Sequence, residues 1–483
     1  MQNHVDFVGI ARRAVMEHGF FPDFSPAVRK QIDDLRHGAA PAPVEARDLR
    51  ALLWSSIDNR ESKDLDQIEV CERLSGDDVK VRVGVADVDA LVTKGCPVDA
   101  HAADNTASLY TGVLVFPMLP EDLSTDLTSL NEGKERLAIV IECIVGKDGN
   151  VAGGDVYRAL VKNRAKLNYE EVGDFLEGKP ASGPIARVAG LEEQLRLQGE
   201  VAGRLKMLRH AHGALDLDTA EAHAVSKDGD VVDIELTRRS RSREVIEDFM
   251  IAANGEMARF LEARGRSSIR RIVKTPKRWD RIVALAEALG EKLPKDPDSV
   301  ALETFLEKQH VANPVGFPDL SLSVVKLLGP GEYDLERAGS PHTGHFGLAV
   351  QDYTHSTAPN RRFADLVTQR LLKAALVSAP PAYSDEELDA IAKHCTEKED
   401  DARKVERFMR KVAAAALLST HVGETFDAIV TGAAAKGTFV RLVKPPAEGR
   451  VVRGEKGMDV GDQVRVKLVA TEPTRGFIDF ARA

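Results

Sequence analysis

The sequence predicts an α+β fold with three parts: a small helical N-terminal domain, a large mixed domain and a small C-terminal β-barrel. Apolar residues recur at helical spacing in about the first fifty positions. Short β-rich segments and long helical periods then follow, and roughly the last sixty residues are short β segments separated by glycine turns. We place the domains at residues 1–46, 47–420 and 421–483.

Composition limits the class of protein. A chain of 483 residues with 43% apolar and 29% charged residues is a globular protein of two or three domains, which excludes disordered and fibrous classes. Its four cysteines lie far apart, without the spacing of a zinc site or a redox motif, so we expect reduced thiols. No signal peptide or long apolar run is present, which predicts a cytoplasmic protein with no membrane insertion. The net charge of −10 argues against indiscriminate nucleic-acid binding.

The N-terminal region is predicted to form two or three short helices. Its apolar positions at helical spacing are Val5, Val8, Val15, Val28, Ile32 and Leu35. The segment HGAAPAPVEARD that follows is typical of a linker. Such helices could form a docking or nucleic-acid-binding unit, for example a helix-turn-helix-like one, or a cap on the large domain.

The large domain is predicted from strands such as VKVRVGVADV and RLAIVIECIVG, with a turn at KDGN. Helical periods follow in EVIEDFMIAANGEMARFLEARG, FADLVTQRLLKAALV and DARKVERFMRKVAAAALL, with a linker at VSAPPAYSDEELD. Two basic clusters, at residues 236–243 and 264–278, are interpreted as solvent-exposed surface, with a nucleic-acid-binding site as the alternative. The glycine-separated β segments of the C-terminal domain predict a small barrel.

Three carboxylates are crowded into SSIDNRESKDLDQIEV, residues 55–70: Asp58, Asp64 and Asp66. Two unit charges about 4 Å apart repel by about 4 kcal/mol at an effective dielectric near 20, so this cluster needs protons or a cation. An all-oxygen ligand set suits magnesium or manganese rather than zinc. A calcium loop would need glycine at the sixth position, where Lys63 stands. An acidic surface loop remains the alternative.

A second group of polar residues lies in HSTAPNRRFADLVTQRLL, where Asn360, Arg361 and Arg362 begin a predicted helix. Helix N-termini favour phosphate, and arginine adds bidentate donors. These arginines either bind an anion or pair with nearby carboxylates. Acidic metal ligands together with phosphate-binding arginines would form a coherent site for phosphodiester hydrolysis.

These segments give the chain a family resemblance. Residues 47–420 resemble the catalytic (RNB) domain of the ribonuclease II / ribonuclease R family of 3′→5′ exoribonucleases. The matching segments, in the family's order, are IDNRESKDLDQ, VGVADV, FPMLPEDLSTDLTSLNEGKERLAIVIE, VIEDFMIAANGEMARFL and TAPNRRFADLVTQRLL. The C-terminal segments GETFDAIV, KGTFVRLV and VGDQVRVKLV resemble the family's S1 RNA-binding domain, an OB-fold barrel.

The resemblance implies an activity. It implies processive hydrolysis of single-stranded RNA to nucleoside 5′-monophosphates. The reaction would depend on magnesium, with manganese as a possible replacement. It would serve RNA turnover and need no stable protein partner. Asp58, Asp64 and Asp66 match three of the family's four active-site aspartates, and Gln67 stands at the fourth. Because glutamine offers only a neutral oxygen, the metal coordination differs at that position. Arg361 matches the catalytic arginine.

Further matches imply contacts to RNA. Arg362 is the basic neighbour of the matched arginine, and Tyr110 matches an aromatic residue that stacks on the 3′-terminal base. Leu217 falls where a second aromatic of the base clamp is usual, and Glu406 matches a glutamate near that clamp. Phe439 and Phe426 of the barrel would offer stacking faces or simply form its core.

Two features leave alternatives open. Most bacterial members carry two cold-shock domains ahead of the catalytic domain, whereas here about fifty helical residues precede it. RNA entry would then be guided differently. With Gln67 the chain could also be a catalytically impaired RNA-binding protein of the same fold, or a regulatory protein that docks a partner through its N-terminus.

Overall fold

The N-terminal helices form a cap on the large domain. In the computed structural model, the residues described are 5–38, 45–218, 221–227, 230–237, 239–314, 316–434 and 437–483. Helix α1 (Phe7–Glu17) is capped by the side chain of Asp6, and α2 (Pro26–His37) by that of Ser25. Helices are therefore confirmed here, whereas half of the predicted linker, at 39–44, lies outside the described residues.

The cap packs through an apolar cluster. Phe7, Ile10 and Val15 of α1 are buried together with side chains from the large domain, among them Leu109 and Met409. Tyr110 directly follows Leu109, and Glu406 lies one helical turn before Met409. The cap thus packs on the elements that carry Tyr110 and Glu406.

A seven-stranded sheet forms the centre of the large domain. The sheet contains β1 (Arg47–Asp48), β2 (Ser55–Asp58), β3 (Gln67–Arg73), β4 (Val79–Ala86), β7 (Glu135–Val145), β8 (Val151–Lys162) and β9 (Ala165–Asn168), and β5 (Leu109–Tyr110) and β6 (Val115–Phe116) form a separate antiparallel pair. The order in the sheet is β1-β8-β7-β4-β3-β2-β9. The pairs at its two edges, β1 with β8 and β2 with β9, are parallel, and the remaining pairs are antiparallel.

The helices of the large domain are α3 (Pro97–Asn105), α4 (Tyr169–Leu176), α5 (Gly183–Arg187), α6 (Leu191–Ala211), α7 (Arg241–Ala263), α8 (Trp279–Ala288), α9 (Ser299–Ala312), α10 (Phe317–Leu328), α11 (Phe363–Leu376) and α12 (Asp385–Leu418). Helices α3, α6, α7, α11 and α12 share an apolar cluster with the sheet, whereas α8, α9 and α10 pack together in a separate cluster. Four short strands form two antiparallel pairs: β10 (Glu221–Lys227) with β11 (Asp230–Thr237), and β12 (Ser268–Ile272) with β13 (Glu332–Glu336). None of the helices that the structure describes is long and apolar enough to cross a membrane.

The predicted KDGN turn joins β7 to β8 and packs closely on α6. Gly149 has φ of +85°, and a Cβ at this position would lie 2.3 Å from the backbone oxygen of Arg204. Glycine is therefore required both by the conformation and by the close approach of the helix.

The interpretation of the 264–278 cluster as exposed surface is wrong for two of its arginines, whereas Arg264, Lys274, Lys277 and Arg278 are exposed. Arg270 and Arg271 of β12 are 3% and 8% exposed rather than solvated. Arg270 Nη2 lies 2.7 Å from Glu336 Oε1, and Arg271 makes two hydrogen bonds to Glu399. The charges are tolerated in the interior because each is paired.

The C-terminal domain is a closed barrel, as predicted. Its strands are β14 (Thr425–Ala434), β15 (Gly437–Leu442), β16 (Glu448–Arg453), β17 (Gln463–Glu472) and β18 (Phe477–Arg482), in the order β14-β15-β16-β18-β17. The barrel core continues into the end of α12, where Ala414, Ala415 and Leu418 are buried in the same cluster as Val440 and Phe480. The three-part α+β fold is confirmed.

Candidate active site

The three aspartates lie where β2 ends and β3 begins. Asp58 is the last residue of β2, and Asp64 and Asp66 precede β3. Leu65, 1% exposed, anchors the segment in the core. Its backbone N–H donates to Ser129 Oγ at 3.0 Å, and its carbonyl accepts from the backbone N–H of Leu130 at 3.0 Å. This anchoring fixes the aspartates on either side of it.

Asp66 joins the two groups of polar residues that the sequence singled out. Its Oδ1 accepts a hydrogen bond from the backbone N–H of Asn360 at 2.9 Å, across 294 positions of sequence. Its Oδ2 lies 3.1 Å from Arg361 Nε, yet makes no hydrogen bond with any described residue. Burial raises the pKa of Asp66 to about 7, against the opposing effect of the Arg361 charge. The carboxylate is therefore poorly compensated and suited to a cation.

Asp64 lies beside Tyr110. The phenol of Tyr110 donates to Asp64 Oδ2 at 3.4 Å, and the Tyr110 backbone N–H approaches Glu406 Oε1 at 3.4 Å. Burial raises the pKa of Asp64, and the nearby charge of Asp58 adds to this effect. The side chain of Tyr110 remains 43% exposed, so its ring is accessible.

The two arginines lie just before α11 and differ in their surroundings. Arg362 makes two hydrogen bonds to Asp365, at 2.8 and 2.7 Å, and Asp365 also accepts from the backbone N–H of Ala358. Arg361 contacts Asp66 while its side chain stays 44% exposed. Of the two alternatives from the sequence, pairing with carboxylates is the one observed. Arg361 retains exposed donors for an anion, whereas Arg362 fixes the loop.

A cavity of about 340 Å³ opens beside these groups. It is lined by side chains that include Tyr110, Tyr333, His355, Arg361, Arg403 and Glu406. Another cavity, of about 420 Å³, lies between α6 and α7 and contains none of the predicted site residues. We assign the candidate site to the 340 Å³ cavity because polar groups from β5, the loop before α11, and α12 converge there.

Sequence reasoning missed three groups that line this cavity. Two of them, His355 and Tyr333, share a hydrogen bond of 2.8 Å between His355 Nδ1 and the Tyr333 hydroxyl. Burial lowers the pKa of His355 well below its usual range. Arg403 lies on α12 three positions before Glu406, and so on the same helix face. His355 is the first residue of the segment HSTAPNRRFADLVTQRLL, which also contains Arg361 and Arg362. Arg403 could have been found from its helical spacing to Glu406.

Other predicted contacts lie elsewhere. Leu217 packs against the apolar cluster of α8, α9 and α10 and does not line the cavity. Phe439 of β15 is 42% exposed on the barrel, whereas Phe426 of β14 is partly buried against the barrel core. Of the two phenylalanines that the sequence indicated, Phe439 is the more exposed and has a ring available to a ligand.

The donor chemistry of the aspartates fits a hard cation. All of their donors are oxygens, and Asp66 Oδ2 is buried without a hydrogen bond within the described part of the chain. The carboxylate oxygens of Asp58, Asp64 and Asp66 do not all lie within 4.8 Å of one another. Among the described residues, the potential metal ligands that lie this close together are Glu262, Glu336 and His342. Arg270 already neutralises Glu336. Magnesium retains several water ligands, so the aspartates need not touch one another to hold it.

Comparison with known proteins agrees with the resemblance inferred from the sequence. The RNB domain matches residues 46–378, and the RNase II-type exonuclease C-terminal S1 domain matches residues 424–483. Ribonuclease R of Thermotoga maritima is 31% identical over 472 residues, covering 90% of this chain and 65% of that protein. Ribonuclease R of Escherichia coli K12 is 30% identical over 437 residues, covering 86% of this chain and 52% of that protein.

The fold is shared with a solved structure. Mycoplasma genitalium RNase R in complex with ribose methylated single-stranded RNA matches with a TM-score of 0.89 at 21% identity, covering 100% of this chain and 79% of that chain. This chain spans between 52% and 65% of the length of the two curated relatives above. Because the RNB domain matches well over half of its residues, the chain belongs to the RNB family and ends in an RNase II-type S1 domain.

Proposed function

We propose that the protein is a magnesium-dependent 3′→5′ exoribonuclease that hydrolyses single-stranded RNA processively to nucleoside 5′-monophosphates. The observation that carries this proposal is the contact of buried Asp66 with Asn360 and with Arg361, which itself lines the cavity. It brings a carboxylate suited to a cation and a cationic donor suited to phosphate within 3.1 Å of each other. Membership of the RNB family supports the reaction type.

The roles of the residues follow from their chemistry. Asp58, Asp64 and Asp66 would hold magnesium, which when bound would activate a water molecule for attack and neutralise phosphate charge. Arg361 stabilises the charge that develops on the phosphate through its exposed guanidinium donors. Asn360 is held by Thr128, whose hydroxyl donates to Asn360 Oδ1 at 2.6 Å, and this bond keeps the loop before α11 in register with Asp66.

Tyr110 provides a stacking face for the last base. Its ring is exposed, and its hydroxyl and backbone are oriented by Asp64 and Glu406. Stacking on an aromatic ring is tolerant of sequence, because every base has a π face. The exposed ring of Phe439 on the barrel extends this sequence-independent grip along the strand. A second contact distant from the reacting phosphate favours processive action.

RNA turnover in the cytoplasm is the setting we propose. The four cysteines are free thiols, and Cys71, Cys143 and Cys395 are buried, which suits a reducing compartment. The protein would act on RNA ends without a stable protein partner.

The direct test uses RNA with a 5′-end label and a free 3′ end. Incubation with magnesium should release nucleoside 5′-monophosphates from the 3′ end, detected by chromatography and by the shortening labelled strand, and a chelator should stop it. Manganese is the second metal to try. RNA binding without release of mononucleotides under either metal would reject the enzyme and leave a catalytically impaired RNA-binding protein.

A further inference from the structure

A histidine and three carboxylates meet between α7 and the strand pair of β12 and β13, and none of them lines the cavity of the candidate active site. They are Glu262 near the end of α7, Glu336 at the end of β13, and His342 and Asp352 in the connection that follows β13. His342 Nδ1 lies 3.2 Å from Glu336 Oε1 and 3.6 Å from Asp352 Oδ1. Tetrahedral zinc with bonds of about 2.0–2.1 Å holds its ligand atoms about 3.3 Å apart. Both distances are therefore close to the spacing of ligands around one small cation.

The second ring nitrogen of His342 lies beside another carboxylate. His342 Nε2 is 3.1 Å from Glu262 Oε1. A histidine that binds metal through one nitrogen usually has a carboxylate, a backbone carbonyl or water at the other nitrogen, which fixes the tautomer and the orientation of the ring. Glu262 is in place for this role, and it leaves Nδ1 as the nitrogen that faces Glu336 and Asp352.

The charges of the group suit a divalent cation. The three carboxylates carry three negative charges, and Arg270 supplies one positive charge, with its Nη2 at 2.7 Å from Glu336 Oε1. With a neutral imidazole, two negative charges remain for one divalent ion to balance. Glu336 can pair with Arg270 and still bind a metal, because a carboxylate has about four lone-pair sites.

Two oxygens at this place have no hydrogen-bond partner among the residues that the structure describes. They are Asp352 Oδ1 and the hydroxyl of Ser268, a residue that is 1% exposed. Ser268 pairs directly with Glu336 across β12 and β13, so the two side chains project from the same face of this strand pair. Burying a polar atom without a partner is costly. A cation bound at this face would satisfy these oxygens, directly or through the water molecules that it retains.

We propose that His342, Glu336 and Asp352 bind a divalent transition-metal ion such as zinc. Imidazole nitrogen suits such metals, whereas an all-oxygen ligand set suits magnesium. The role of the ion is structural, because it joins two points of the connection at residues 337–352 to the end of β13, and the segment that follows this connection leads to Arg361. The site shares no residue with the aspartate site of the proposed function and does not depend on RNA hydrolysis.

Zinc binding to the full chain tests the proposal, with Asp66→Asn as the background so that the aspartate site is weakened. Titration calorimetry with zinc is applied to this background and to the same protein with His342→Gln or, as the matched control, His212→Gln. His212 is an exposed histidine at the end of α6. We expect His342→Gln to weaken zinc binding by at least about tenfold, since even groups that only orient metal ligands contribute about tenfold to hundredfold. The His212→Gln protein should bind zinc as the background does.

The carboxylates give a second comparison in the same background. Asp352→Asn keeps the size of the side chain but removes its charge, and it should also weaken zinc binding by at least about tenfold. Asp334→Asn is the control, because Asp334 lies on the same face of β13 as Glu336 but is exposed. Cobalt(II) bound in place of zinc reports its coordination through its visible absorption, which His342→Gln should abolish. Circular dichroism checks that the metal-free proteins are folded, and Asp352→Asn decides alone if His342→Gln does not fold.

Two results would overturn the inference: no saturable zinc binding to the background protein, or zinc binding that either His342→Gln or Asp352→Asn fails to weaken beyond its control. The group would then be a network of ion pairs in which protonated His342 lies between the carboxylates. Neither result bears on the release of nucleotides from RNA by the parent, which is measured separately.

Discussion

Replacing Asp66 with asparagine should abolish RNA hydrolysis and, at the same time, stabilise the metal-free protein. The asparagine side chain keeps an oxygen that can accept from the backbone N–H of Asn360, the bond that measures 2.9 Å. It removes the negative charge, which burial disfavours. The substitution thus separates the electrostatic strain at this position from the hydrogen bond that holds the loop.

The size of the stabilisation follows from the pKa of Asp66. Folding raises this pKa from 3.8 to about 7. Each pH unit of difference corresponds to about 1.36 kcal/mol, so ionised Asp66 destabilises the fold by up to about 4 kcal/mol. Between these two pH values Asp66 is protonated in the folded protein and ionised in the unfolded chain. The free energy of unfolding of the parent therefore falls as pH rises from about 4 to 7 and does not fall further above that range. We expect Asp66→Asn to gain about 4 kcal/mol at pH 8 and about 2 kcal/mol at pH 5.

Urea unfolding in the presence of a chelator, followed by circular dichroism at several pH values, measures this gain. Magnesium should reverse the order at pH 8, because the parent would then gain stability from bound metal that the variant binds poorly. RNA affinity, measured with a chelator, should remain within a few-fold of the parent. A gain that does not change between pH 5 and pH 8, or a variant that is less stable than the parent at pH 8, would refute the assignment of a buried, uncompensated charge to Asp66.

Three further substitutions probe the other parts of the site. Arg361→Lys should lower the single-turnover rate of hydrolysis by about 10²–10³-fold, with RNA binding nearly unchanged, because lysine cannot present the same donors to the developing charge. Tyr110→Ala should weaken binding of short single-stranded RNA by about 1–3 kcal/mol through loss of stacking, whereas Tyr110→Phe should keep most of the affinity; fluorescence anisotropy measures both. Asn105→Ala should lower the free energy of unfolding by about 2 kcal/mol in urea titrations, because it removes two hydrogen bonds to the backbone of Phe21 in the N-terminal cap.

Matched controls separate these effects from general damage. Arg281→Lys, on the exposed surface of α8, should leave hydrolysis unchanged, and Asn150→Ala, in an exposed turn, should leave stability within about 0.5 kcal/mol. Full activity of Arg361→Lys, or equal losses of affinity in both Tyr110 variants, would contradict the assigned roles. An Asn105→Ala protein as stable as the parent would show that these hydrogen bonds do not hold the cap.

The sequence indicated both halves of the site, because the chemistry of each short segment is local, but it left the contact between them open. Pairing of the arginines with carboxylates was one of two alternatives, and the structure shows it as the contact of Arg361 with Asp66, two residues far apart in the sequence. Local pattern also predicted the N-terminal helices and the small barrel, since period and glycine spacing depend on nearby residues alone, but it did not decide whether the helices cap the large domain.

What the sequence did not predict depends on long-range packing. The charged run around Arg270 and Arg271 was interpreted as surface, because its partner Glu399 lies 128 positions away and nothing local indicates the pairing. Residues 67–71 of β3 are all buried, Glu69 among them, and the local sequence does not indicate which distant elements cover them.

The junction between α12 and the barrel affects how the RNA contribution of the barrel can be measured. Ala414, Ala415 and Leu418 at the end of α12 are buried together with the barrel core, and the same helix carries Glu406. Cutting the chain after α12 would expose an apolar helix end and loosen the element that lines the cavity. Loss of activity after such a deletion would therefore combine a lost RNA contact with a damaged folding unit. A point substitution of the exposed ring, Phe439→Ala, separates the two, since it changes the surface and leaves the junction intact.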